Sequence, residues 1–219
     1  MIFRWIQQIF SQLFSDPISL LLQIISVLFA LTIHEYAHAY VANKCGDPTA
    51  KYMGRLTLNP LKHLDPIGTI SLLLFRFGWA KPVPVNSRNF NNYRRDNILV
   101  SAAGIVTNFV MYLLTRFLYL WIGNMGITNN FQSQFFAYFL FFLSIFGTLN
   151  LGLAIFNLLP IPPYDGFHLF NDIFFKGRIY VTQRHMQIIQ MVVIVLIFSK
   201  SFSFNKISSL CLESIGEIS

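Results

Sequence analysis

The sequence predicts an all-α polytopic membrane protein, with about four to five transmembrane helices and one short re-entrant or membrane-associated β segment. Three observations carry that expectation. Of 219 residues, 54% are apolar and only 11% are charged, against about 25% charged in a soluble domain. The charges are clustered, with no Asp, Glu, Lys or Arg between Asp16 and Glu35 or between Arg116 and Asp165. Uncharged runs of that length match the hydrocarbon thickness of a bilayer. An ordinary soluble enzyme is thereby excluded. The net charge of +7 would suggest nucleic acid in a soluble protein, but in a multi-spanning chain basic loops report orientation, so no nucleic-acid partner is expected.

Residues 1–17 read as an N-terminal amphipathic segment at the interface, with Arg4 among apolar residues every three or four positions and no signal-cleavage site. Residues 18–199 form the intramembrane domain, and 200–219 a polar tail. The first span runs from about Ile18 to Asn43, long enough to cross roughly 30 Å of hydrocarbon. Residues 44–65 are polar and basic. Pro66 to Phe75 is apolar but too short to cross alone, hence a re-entrant hairpin or short buried segment. A second basic loop, 76–97, leads to a span from about Ile98 to Ile122, with Arg116 near the far end. The polar turn Gly123–Asn130 divides the following uncharged stretch, and the next span, about Gln134 to Leu159, is stopped by Pro160, Pro162 and Pro163. A last apolar helix covers about Met186 to Ser199.

Counting Lys and Arg assigns the sides. Nine lie in 44–97 and three in 160–184, against Arg4, Lys200 and Lys206 opposite. Both large loops are therefore expected in the cytoplasm, with both termini outside.

The first span contains His34-Glu35-Tyr36-Ala37-His38, a His-Glu-x-x-His motif. On a helix the two imidazoles stand one turn apart on one face, so both reach one metal, and Glu35 projects beside it to take a proton from water. With five His and three Glu in the chain, chance yields about 0.002 such motifs. An ionisable cluster inside a span costs at least about 2.5 kcal/mol per residue and marks function. A catalytic zinc normally takes three protein ligands. Candidates for the third are His63, His168, His185, Cys45, Asp65, Asp96, Asp165 and Asp172. Asp165 is favoured because it follows the Pro-fixed segment Asn157–Tyr164 at the cytoplasmic end of a span, where irregular backbone lines a wet cavity.

His34-Glu35-x-x-His38, followed two spans later by Asn157-x-x-Pro160-x-x-Pro163-x-Asp165-Gly166, resembles the site-2 protease family of intramembrane zinc metalloproteases (peptidase family M50). Gly54–Pro60, His63–Pro66 and Gly78–Asn86 are similar to its compact branch without a PDZ domain. The resemblance covers about 20–175. It implies one zinc per chain held by His34, His38 and Asp165, Glu35 as catalytic base, and Asn108 placed to steady the substrate carbonyl. Ile105 stands where the family usually has Pro, and Tyr164 where it usually has Leu. The implied activity is hydrolysis within or near transmembrane segments of a membrane-protein or transmembrane-peptide substrate. The implied location is a bacterial inner membrane, with the site towards the cytoplasm.

Trp79–Asn86, with Pro82 and Pro84 two apart, cannot be helical and suits an edge strand that pairs with an unwound substrate. Two other functions are open at this point. One is a transporter of metal ions or protons, for which the chain lacks the usual internal repeats. The other is a zinc-bound membrane protein without activity.

Overall fold

The computed structural model describes residues 16–65, 68, 80–124, 132–182, 184–186, 188, 189 and 192. The expected N-terminal amphipathic segment apart from Asp16 and Pro17, the 66–75 segment apart from Gly68, most of the last apolar helix and the tail lie outside these residues. Five α-helices are described: α1 (Pro17–Lys44), α2 (Thr49–Tyr52), α3 (Tyr93–Gly123), α4 (Gln132–Leu158) and α5 (Asp165–Phe174). Among the described residues, α1, α3 and α4 are long and apolar enough to cross a membrane. The described part thus accounts for three of the expected four to five spans.

Each boundary has a local cause. The α1 helix opens on Asp16, whose carboxylate accepts from Ser19 N–H at 3.1 Å, with Pro17 in the first helical turn. It closes at Cys45, followed by Gly46 at φ 104°. The α3 helix starts five residues before its apolar run. Asn92 accepts from Arg95 N–H at 3.1 Å, and the Asp96 carboxylate accepts from Asn92 N–H at 2.8 Å, a reciprocal cap that extends the helix into its polar, basic first turn. The α4 helix stops at Leu158, just before the prolines.

The α3 helix is central and packs against α1, α4 and α5. Apart from His34 and His38, the buried side chains of α1 are small, including Ala30, Ala37, Ala39 and Ala42, and let its backbone approach the neighbours closely. Large apolar groups such as Phe109, Leu113, Phe117 and Trp121 of α3 face outward, as expected where the solvent is lipid. The expected β segment is reduced, among the described residues, to a single antiparallel bridge between Leu64 and Ala80. Ala80 opens the proline-containing segment, and residues 81–86 carry no regular structure.

Candidate metal centre

Three elements far apart in sequence converge at the end of the bundle where the long basic loops emerge. The α1 helix presents His34 and His38 one turn apart. The α5 helix begins at Asp165, which the sequence placed on irregular backbone; the irregular stretch ends at Tyr164, and Asp165 is the first helical residue. Apolar residues at Phe167, Phe170 and Phe174 give α5 the helical spacing. Its far end is bound to the start of α3: Arg94 donates to the carbonyls of Asp172 (2.8 Å) and Ile173 (2.9 Å), and Asn97 donates to the Asp172 carboxylate at 2.7 Å.

The three ligand atoms form a triangle. His34 Nε2 lies 3.0 Å from His38 Nε2, and Asp165 Oδ2 lies 3.2 and 3.1 Å from the two nitrogens. A tetrahedral zinc with bonds of about 2.0–2.1 Å holds its ligand atoms about 3.3 Å apart, so the donor set and spacing fit that ion. His38 Nδ1 lies 2.7 Å from Val100 O. A carbonyl only accepts, so the proton is on Nδ1 and the Nε2 lone pair faces the triangle, the orientation a ligating imidazole needs. Both imidazoles are buried.

Gly104 on α3 makes this approach possible. A Cβ at that position would sit 2.5 Å from His34 Cε1 and from His38 Nε2. Gly166, next to Asp165, is similarly confined, since a Cβ there would lie 2.3 Å from Leu158 O.

Glu35 is half-buried, and its Oε2 accepts from Val83 N–H at 2.7 Å. The 80–86 segment thus lies against the carboxylate between the two histidines. Val83 itself is buried in a small cluster with Ala39 and Ala50, flanked by Leu56. Beyond it, Asp47 ties the segment down, accepting from Asn86 N–H (2.7 Å), Asn89 Nδ2 (2.8 Å) and Thr49 N–H (3.1 Å). Burial alone would raise the Asp47 carboxyl, but bonds from Thr49, Asn86 and Asn89 outweigh it and hold it below the usual carboxylate range. One turn beyond Gly104, Asn108 is fully buried, and among the described residues neither its amide nitrogen nor its amide oxygen has a partner. An unmade buried hydrogen bond costs about 1–3 kcal/mol.

The remaining sequence candidates are engaged elsewhere. His63 is buried and its Nε2 donates to Thr57 O at 2.9 Å; Asp65 accepts from Gly68 N–H at 2.8 Å. Asp96 caps α3, and Asp172 anchors α5. His168 is exposed and stands against Phe167; His185 Nδ1 pairs with Thr182 Oγ1 at 2.6 Å. Cys45 caps α1. Three contributors carried no sequence signal for their role: the Val83 N–H, the Val100 carbonyl and Arg55, whose guanidinium donates to the carbonyls beside Val83. All act across long chain separations that spacing does not reveal.

The sequence model described as peptidase family M50 matches residues 22–199. Among curated relatives, "Putative zinc metalloprotease YwhC" of Bacillus subtilis is 47% identical over 158 residues, covering 72% of this chain and 71% of that protein. "Putative zinc metalloprotease Rip2" of Mycolicibacterium smegmatis is 31% identical over 145 residues, covering 64% of this chain. Its counterpart of the same name in Mycobacterium tuberculosis is 31% identical over 156 residues. The chain spans about half the length of these mycobacterial relatives, 52% in each case. No solved structure matches the chain significantly.

Proposed function

The chain belongs to peptidase family M50 and is a zinc-dependent metalloprotease of membranes, and on that premise we propose that it cuts peptide bonds within or beside transmembrane segments of other membrane proteins. The observation that carries this is the His34–His38–Asp165 triangle, both its imidazoles buried and its carboxylate partly so, with Glu35 between the two histidines in sequence. In this assignment His34, His38 and Asp165 hold one zinc per chain. Zinc, when bound, acidifies a coordinated water towards a pKa of about 7 and polarises the scissile carbonyl.

The chain's own groups do the rest. Glu35 takes the proton of the attacking water and delivers it to the departing amine. The Val83 N–H occupies one carboxylate oxygen and leaves the other for that proton. Asn108 donates its amide N–H to the carbonyl oxygen as negative charge develops there, worth about 3 kcal/mol for such donors. The substrate enters as an unwound, extended segment, because the carbonyls of an intact helix are already bonded. It pairs with the 80–86 segment by strand addition. His63 O accepts from Lys81 N–H at 2.8 Å and fills the first rung; with the Val83 N–H held by Glu35, the incoming chain continues the ladder at the Val83 carbonyl and at Val85.

The site faces the cytoplasm of a bacterial cell, its membrane the inner one. Support comes from twelve Lys and Arg in the two loops beside the site against three opposite, and from bacterial relatives. Those relatives all carry metalloprotease names, which gives the transport alternative no support.

The deciding experiment maps new peptide termini by mass spectrometry in membranes from cells expressing wild type or Glu35→Gln at equal levels. Termini inside or beside membrane spans are expected to vanish in the variant while zinc content stays the same. Coincident maps with zinc retained in both would refute the proteolytic assignment.

A further inference from the structure

The 80–86 segment is held in place from outside the bundle. Arg55 Nη2 donates to Lys81 O at 2.6 Å and to Pro82 O at 3.3 Å, and Arg55 is itself buried. Its own backbone is fixed. Gly54, at φ 65°, donates to Lys51 O at 3.0 Å, and Arg55 N–H donates to Ala50 O at 2.8 Å. That is the glycine-terminated end of α2 in which two successive amides fold back on the helix. The guanidinium therefore projects from a rigid corner onto the two carbonyls that immediately precede Val83.

What those carbonyls control follows from backbone geometry. Lys81 and Val83 each precede a proline and are driven into extended conformation. In extended chain the N–H and C=O of alternate residues point the same way, so 81, 83 and 85 share one edge. On that edge Lys81 is paired to His63, Val83 reaches Glu35, and Val85 comes next. The other edge carries Pro82 and Pro84, which have no N–H to give. Only the edge facing Glu35 can receive a chain, and its axial position is set where Arg55 grips it.

We propose that Arg55 is a positioning residue that fixes the register in which an extended substrate meets Glu35. This rests on the protease assignment above. A slip of one residue turns the substrate's bonding groups to the wrong side, whereas a slip of roughly two residues restores pairing with a different carbonyl at Glu35. Loosening Arg55 should therefore weaken substrate binding and scatter the cut to bonds about two residues away.

The test uses full-length, zinc-loaded wild type, Arg55→Gln and Arg55→Lys in lipid vesicles, with two readouts. The first is hydrogen–deuterium exchange at the Val83 amide, which needs no substrate. Exchange is expected to rise about tenfold in the Gln variant and much less in the Lys variant, which keeps one charged donor. The second uses a synthetic transmembrane peptide containing a bond from the Glu35-dependent termini map. KM is expected to rise about tenfold in the Gln variant with kcat nearly unchanged, secondary cuts appear, and Lys restores most of the register. Unchanged Val83 exchange, or unchanged KM and cut positions, would overturn the proposal. So would loss of zinc in both variants, which would make Arg55 a general fold residue. If wild type shows no Glu35-dependent cleavage the protease assignment fails, and the exchange readout alone still decides whether Arg55 holds the segment.

Discussion

At the scale of single residues, the centre depends on one missing methyl group. Gly104 leaves space for both imidazoles, and an added Cβ would overlap His34 and His38 atoms at 2.5 Å. Gly104→Ala is therefore expected to push α1 from α3, lowering zinc content at least about tenfold while the protein still inserts; metal analysis of the purified variant checks this. His34, Glu35 and His38 were legible in the sequence because helical geometry alone makes a four-residue spacing meaningful. Asp165 was legible as a carboxylate just after a proline stop. Arg55 was not, since a lone Arg in a basic loop has the composition of an orientation signal, and its partners are backbone carbonyls twenty-six and twenty-seven positions away.

At the scale of elements, hydropathy placed α1 and α4 to within two residues at each end and missed the polar start of α3. It began α3 at Ile98, although the reciprocal cap between Asn92 and Asp96 starts the helix at Tyr93. It left α5 unassigned, because a ten-residue amphipathic helix after a proline stop is too short for a membrane-span criterion. Trp79–Asn86 was expected as an edge strand, yet a strand needs partners, and among the described residues one bridge at Ala80 is present. In the proposed function the substrate supplies the rest. Val85→Pro removes the next N–H on the receiving edge and is expected to cut kcat/KM at least about tenfold with zinc intact, whereas Val85→Ala stays near wild type. Equal turnover of the two variants would count against strand addition.

At the scale of the whole molecule, three described spans in antiparallel sequence bring both long basic loops to one end. Single cysteines at Tyr52 and at Asn124, in a Cys45→Ser, Cys211→Ser background, provide the check. Both positions are exposed. A membrane-impermeant maleimide added to intact cells is expected to label the second site, and the first only after the inner face is opened. The distance along the chain between the parts of the triangle has a further effect, on biosynthesis. In the proposed assignment His34 and His38 enter the membrane early, and the third ligand arrives only with Asp165, after α3 and α4 have been laid down. A chain still being made carries the histidine pair and the base but lacks a carboxylate to close the site. Chains ended at Leu159 are accordingly expected to insert and yet lose zinc on dialysis. On that assignment, competence to cut is postponed until Asp165 has left the ribosome, which would spare the insertion machinery from a protease assembled within it.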